Sequence, residues 1–135
     1  ALPIFSQQME FTNRENRFMN HCGIRITKLE PECCEAQLSV ADYCKNTGET
    51  IHGGLLYTMA DCVVSAFARA LGDRPVTLSG DFHYLSNVTE GTLTALATPI
   101  HSGRTIKTFQ VTISAGEKLL ATGTFSCFDR GPEQK

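Results

Sequence analysis

The residues best suited to chemistry lie in one stretch, Asn46-Thr47-Gly48-Glu49-Thr50-Ile51-His52-Gly53-Gly54, and in the apolar run that follows it and carries Asp61. Two consecutive glycines at a helix entrance leave its first N–H groups uncovered by side chains, with the positive end of the helix dipole behind them. Such an entrance can hold the oxygen of a polarised carbonyl. The same pair can instead permit close helix-to-sheet packing without any chemical role. Asp61 stands in the middle of the most apolar run of the chain, where a carboxylate is costly unless it is paired, hydrated or put to use. One use is as a general base or nucleophile. The other reading is structural: a salt bridge to Arg69 or Arg104, or a polar stripe with Ser65 and Arg69 at i+4 and i+8. His52 suits either an acid/base role or a hydrogen-bonded loop anchor.

Spacing adds a constraint. Gly53 and Asp61, separated by two helical turns, lie about 12 Å apart along one helix axis. They cannot both touch the same carbonyl carbon. If both serve one site, helices from two subunits must pass side by side in antiparallel sense, each start facing the other's middle, and catalysis then requires the dimer.

The elements that must position these residues follow from hydrophobic periodicity. Residues 7–20 mix polar side chains with Met9, Phe11, Phe18 and Met19, as a short amphipathic helix on the rim would. Ile24 and Ile26 suggest a strand, Glu30-Pro31-Glu32 a turn, and the alternation of Cys34, Ala36, Leu38 and Val40 a half-buried strand over 33–40. The segment 53–71 is apolar almost all round and reads as a buried helix ended by Gly72-Asp73-Arg74-Pro75. It nearly matches a bilayer in length, but its ionisable groups and a mean hydropathy of −0.12 for the chain favour a protein interior. Four further strands are predicted over 76–85, 92–101, 104–114 and 118–128, with Val76, Leu78, Phe82 and Tyr84 sharing one face of the first. Ser102-Gly103 and Ala115-Gly116 mark hairpin turns. About six strands wrapped around one long helix define an α+β class. One helix is too small to cover such a sheet, and the remaining sheet edge and helix flank call for a symmetric partner.

Composition narrows the function classes. The chain has 135 residues, enough for a single domain that buries a core without staples, with residues 1–20 peripheral and 129–135 as a flexible tail. Twelve basic against 14 acidic residues, with no basic stripe, argue against nucleic-acid binding. No segment reads as a membrane anchor or secretory signal. Six cysteines without C-x-x-C spacing read as reduced thiols in a cytoplasmic protein. Cys62 points about 100° away from Asp61 on the helix, and no spacing supplies a base for a cysteine nucleophile. His21, His83 and His101 lack metal-ligand spacing, so no metal is expected. Ser65 and Thr77 lie outside any nucleophile elbow, and no phosphate-binding glycine loop is present.

Asn46, His52-Gly53-Gly54, Asp61 in an Ala-rich helix and the strand ending Phe82-His83-Tyr84-Leu85 together resemble the hotdog-fold acyl-CoA thioesterases of the phenylacetate-pathway (PaaI-like) group, over roughly residues 20–128. The resemblance implies a homodimer with two sites at its interface, usually paired again as a dimer of dimers, acting on a small aromatic or short- to medium-chain acyl-CoA without a cofactor. It implies that the Gly53 N–H, helped by Asn46, polarises the thioester carbonyl, with Gly54 beside it, and that His52 holds the loop or the thiol leaving group. Asp61 of the other protomer would activate water or attack directly, and Ser65 and Thr77 match positions where relatives place a water-orienting hydroxyl. Gly103-Arg104 matches a hairpin turn near the CoA phosphates, where Arg104 could pair with one. Hotdog dehydratases instead place a His on the helix after the Asp, and none occurs between His52 and His83. A non-catalytic acyl-CoA-binding module of the same fold is the alternative, since a fold does not fix a function.

Overall fold

In the computed structural model, which describes residues 3–133, the chain runs α1 (Pro3–Glu15), α2 (Arg17–His21), β1 (Arg25–Leu29), β2 (Cys34–Ser39), a short 3-10 turn (Asp42–Cys44), α3 (Gly53–Ala70), β3 (Pro75–Tyr84), β4 (Thr92–Ser102), β5 (Ile106–Ala115) and β6 (Lys118–Asp129). The six strands form one antiparallel sheet in the order β1-β2-β4-β5-β6-β3. The architecture is α+β, with α3 packed along the inner face of the sheet.

Side-chain size explains how closely the helix sits. On β2 and β4 the inner face is small, with Ala36 opposite Ala95 and Cys34 opposite Ala97. On β5 and β6 it is large: Phe109 faces Phe125, and the Phe67 ring of α3 stacks 5.1 Å from Phe109. Leu56, Met59, Val63, Val64 and Phe67 of α3 are buried against this surface. Each fully buried side chain of this size contributes roughly 1.5–3 kcal/mol of transfer free energy. No helix among the described residues is long and apolar enough to cross a membrane.

Four local features depart from the sequence expectation. The helix expected over 7–20 is two helices, broken at Asn16, whose extended backbone and side-chain acceptor for the Met19 N–H cap α2. Asn13 binds both the N–H and the C=O of Ile26, at 2.8 and 2.9 Å, which ties α1 to the edge strand β1. The fifth strand starts at Ile106 because the Gly103 N–H bonds the Ile106 carbonyl, leaving Gly103, Arg104 and Thr105 in the turn. The polar stretch expected as a tail from Asp129 is anchored at its start: the Asp129 carboxylate accepts the Arg74 and Gly131 N–H groups, which hold it below the usual carboxylate range. Residues 134 and 135 of that stretch lie outside the described residues, as do residues 1 and 2 of the expected peripheral segment.

The fourth departure matters most for the site. Thr77 pairs with Cys127 and Ser79 with Ser126, so Leu78 is an extra residue and β3 carries a bulge. A bulge re-aims side chains. Beyond it Gly80, Phe82 and Tyr84 pair with Phe125, Gly123 and Ala121 and point inward, and before it the inward residue is Thr77 rather than Val76 or Leu78. Val76 and Leu78 are instead 46% and 55% exposed, on an edge strand with no neighbour on its far side among the described residues.

At the far end of α3, Lys107 of β5 points inward and its ammonium contacts both Asp73 oxygens, at 2.9 and 2.8 Å, with both side chains almost wholly buried. Removing one partner strands the other's charge, so Asp73→Ala is expected to lower the unfolding free energy by about 3–5 kcal/mol in urea titrations. A loss under about 1 kcal/mol would show the pair to be effectively solvated.

All six cysteines are unpaired. Burial pushes the Cys62 thiol up to about 12, with the nearby Asp61 charge adding to it, and Cys127 up to about 11. Burial also raises Cys34 strongly, while Cys44 is buried as well. Because the thiolate is the reactive form, native alkylation at pH 8 is expected to reach only the half-buried Cys22 and Cys33. Intact mass should show two adducts in buffer and all six in denaturant; four or more in buffer would contradict this packing.

Candidate active site

The loop before α3 is organised by amides. The Asn46 side-chain oxygen accepts the Gly48 and Thr50 N–H groups at 2.8 and 3.2 Å, and its nitrogen donates to the Thr50 hydroxyl and the Ile51 carbonyl at 3.0 and 3.4 Å. Both ends of Asn46 are therefore engaged within the loop. Asn87, between β3 and β4, pairs with the Ile51 backbone in both directions, at 3.1 and 3.0 Å. Glu49 takes a left-handed backbone, φ 68°, to close the turn. Together these contacts deliver His52 to the helix entrance.

His52 is the N-cap of α3, and its Nδ1 accepts the Gly54 N–H at 2.9 Å. An accepting Nδ1 carries no proton, which places the ring proton on Nε2. The Leu55 N–H bonds the His52 carbonyl at 3.0 Å. Of the first three N–H groups of the helix, that of Gly53 alone has no acceptor among the described residues. An uncovered N–H at the positive end of a helix is the donor that a developing oxyanion needs.

Asp61 sits two turns further on, half-buried. Its Oδ1 accepts the Thr77 hydroxyl at 2.6 Å, a short charge-assisted bond across from the helix to β3. The salt bridges considered from sequence, to Arg69 or Arg104, do not form among the described residues. Ser65, one turn after Asp61, faces α1 and shares a groove of about 240 Å³ with Phe11, Thr12, Asn16 and Arg69. No group of three or more His, Cys, Asp or Glu side chains among the described residues could hold a metal ion.

The single chain brings Asp61 and Thr77 together, and His52, Gly53 and Gly54 together, but keeps the two groups apart. Gly53 lies against Tyr84 at one end of β3, while Asp61 is bonded to Thr77 near the other. The two contacts are about 20 Å apart along the bulged strand, and the groups they hold are about 12 Å apart along α3. Gly103 and the exposed Arg104 lie in the turn before Ile106, whose partner Phe128 also pairs with Val76, so they too sit at the Thr77 end.

A cavity of about 410 Å³ opens beside His52 and Gly54, walled by Phe18, Cys22, Tyr43, Leu55 and Thr58. Met59 and Phe67 belong to the core. Phe82 belongs to an aromatic cluster with Tyr57, Tyr84 and Phe125. Sequence reasoning did not find Asn87 or the bonds that Thr58 and Tyr84 make to the carbonyls of Gly54 and Gly53. No local signal marks Asn87, whereas Thr58 at i+4 from Gly54 is a spacing that could have been read.

A family model described as Thioesterase superfamily matches residues 48–122, more than half of the chain, spanning the site loop, α3 and most of the sheet. A Haemophilus influenzae protein named "Putative esterase" is 30% identical over 109 residues, which are 78% of each chain. Among solved structures, the PaaI protein of the E. coli phenylacetic acid degradation operon superimposes with a TM-score of 0.89 at 20% identity, over 95% of this chain and 94% of that one, and shows a shared fold. A Streptococcus pneumoniae "Hypothetical Thioesterase Protein with Coenzyme A" has a TM-score of 0.76 at 26% identity, over 82% of this chain and 91% of the other. The match over more than half of the chain shows that it belongs to the thioesterase superfamily and is a thioester hydrolase, with the hotdog fold that it shares with PaaI.

Proposed function

We propose that this thioesterase hydrolyses acyl-CoA, and that each of its sites is completed by a second copy of the chain. The observation that carries the reading is that α3 leaves one N–H open, at Gly53, while Thr77 turns the Asp61 carboxylate toward the free edge strand. Antiparallel pairing of two β3 edges about Gly80 sets Tyr84 of one copy beside Val76 and Thr77 of the other. Gly53 of the first copy then approaches Asp61 of the second. The same pairing carries the Gly103-Arg104 turn of the second copy toward the first copy's helix entrance, where its guanidinium suits a CoA phosphate. The exposed Val76, Leu78, Ile106 and Phe128 offer apolar area to this pair and to a further dimer-of-dimers contact.

In this scheme the thioester oxygen accepts from the Gly53 N–H. Asp61 of the second copy either takes a proton from an attacking water or attacks the carbonyl carbon itself. Collapse of the tetrahedral oxyanion breaks the C–S bond and releases the CoA thiolate, which takes up the proton that Asp61 removed from water; where Asp61 itself attacks, water hydrolyses the acyl-Asp61 anhydride, which frees the acid, restores the carboxylate and supplies the thiolate's proton. The Thr77 bond occupies Oδ1 and leaves Oδ2 for the reaction, while Ser65, one turn on but facing the groove against α1, is the weaker candidate to orient water. Asn46 acts through the loop it organises, and His52 through the cap, with its Nε2–H available to the leaving thiol. A cavity of about 410 Å³ beside the helix entrance suits a small aromatic or short- to medium-chain acyl group. Neither cofactor nor metal enters the scheme, and unpaired thiols fit a cytoplasmic setting.

Thiol release from a panel of acyl-CoAs tests the reading. Asp61→Asn is expected to lower kcat at least about a hundredfold. Thr77→Val, which removes one hydrogen bond to a charged group, should lower it by about ten- to a hundredfold with little change in stability. Equal turnover by Asp61→Asn and the parent, or no release by the parent from any acyl-CoA, would sink it.

A further inference from the structure

The Gly53 N–H is open, but openness alone does not aim it, and glycine is the residue least able to hold its own backbone direction. The peptide unit that follows it is gripped at both ends. Its N–H, that of Gly54, donates to His52 Nδ1 at 2.9 Å, and its carbonyl, that of Gly53, accepts the Tyr84 hydroxyl at 3.2 Å. A third bond, from the Thr58 hydroxyl to the Gly54 carbonyl at 2.9 Å, fixes the next unit.

The hydroxyl-bearing edge of the Tyr84 ring also lies against Gly53: a methyl group there would meet Tyr84 Cε1 at 3.1 Å, tighter than ordinary packing permits. Tyr84 is itself held. Its ring meets Phe82 edge-on at 5.1 Å, Phe82 meets Tyr57 at 5.6 Å, and Tyr57 tilts onto the fully buried Phe125 at 5.1 Å. Gly80 makes room for this stack, since a Cβ there would run into the Phe125 ring and the Tyr57 hydroxyl. A line of ring contacts thus runs from the core to the helix entrance and ends in a hydroxyl on the Gly53 carbonyl.

We propose that Tyr84 is a positioning residue for the oxyanion site, acting through Gly53: its hydroxyl and ring, braced by Phe82, Tyr57 and Phe125, fix the direction in which the Gly53 N–H points. This rests on the role proposed above for Gly53. Preorganised donors stabilise a transition state because no reorganisation is needed at the moment of reaction. Loosening one lowers kcat and leaves ground-state binding nearly unchanged.

Tyr84→Phe keeps the ring and its contact with Phe82 and removes only the hydroxyl, so folding should survive, with a melting temperature within a few degrees of the parent. Two readouts test the proposal. Steady-state hydrolysis of the best acyl-CoA should show kcat reduced about tenfold with KM within about twofold. The Gly53 amide order parameter, from ¹⁵N relaxation, should fall from about 0.85 in the parent to below about 0.6. Unchanged kcat and an unchanged Gly53 order parameter would overturn the proposal. So would a raised KM with kcat retained, which would mean that the hydroxyl touches substrate instead of Gly53. The two layers of inference separate cleanly: a parent that turns over no acyl-CoA defeats the thioesterase scheme, while the order parameter still decides whether Tyr84 aims the Gly53 N–H.

Discussion

The Gly53 N–H and the Asp61 carboxylate stand about 12 Å apart along one helix, and that separation governs how the proposed site can be built. A helix cannot bend its own middle back onto its own start. A site that uses both the Gly53 N–H and the Asp61 carboxylate therefore requires a second helix, and the fold supplies the means of bringing one. The edge strand β3 runs alongside α3, touches Gly53 through Tyr84 at one end and Asp61 through Thr77 near the other, and has no neighbour on its far side among the described residues. A twofold axis through the middle of that strand would interchange the two ends.

Precision at the helix entrance comes from short-range polar contacts built onto a packed core. Asn46 saturates its own loop, Asn87 binds the Ile51 backbone, His52 caps the Gly54 N–H and Tyr84 grips the Gly53 carbonyl. The first three satisfy backbone groups that would otherwise be orphaned at a helix start or in a turn, and Tyr84 adds a second donor to a carbonyl of the first helical turn. What they leave uncovered is one N–H, and the specificity of the arrangement lies in that remainder. The bulge at Leu78 does the same work at the other end, because without the extra residue the strand's alternation would turn Thr77 outward and leave Asp61 without its hydroxyl partner.

Much of this was legible in the sequence. The almost wholly apolar run over 53–71, the glycine pair that opens it and the alternation over 33–40 come from local pattern, and α3 and β2 follow them to within one or two residues. The acid in the helix and the helix entrance were both conspicuous, because a carboxylate in an apolar run and two adjacent glycines each conflict with local preference. What was not legible depends on partners distant in the chain. Asp73 and Lys107 form a buried pair across 34 residues, Asn87 reaches back 36 to Ile51, and Tyr84 reaches back 31 to Gly53. The bulge at Leu78 hid because Val76, Leu78, Phe82 and Tyr84 keep an unbroken apolar alternation through it; only the register against β6 shows the slip. The break at Asn16 had a local signal, an N-cap residue within the amphipathic run, which periodicity alone overrode.

Complementation between two inactive variants tests most directly whether the site spans two copies. Asp61→Asn retains an intact Gly53, and a variant blocked at the helix entrance, Gly53→Val, retains an intact Asp61. Denatured together and refolded, randomly formed pairs should recover about a quarter of the parent's acyl-CoA turnover, because half of them are mixed and each mixed pair has one intact site of two. Either variant refolded alone should recover essentially none. No recovery on mixing, with each variant shown to be folded and paired, would contradict a site shared between two copies.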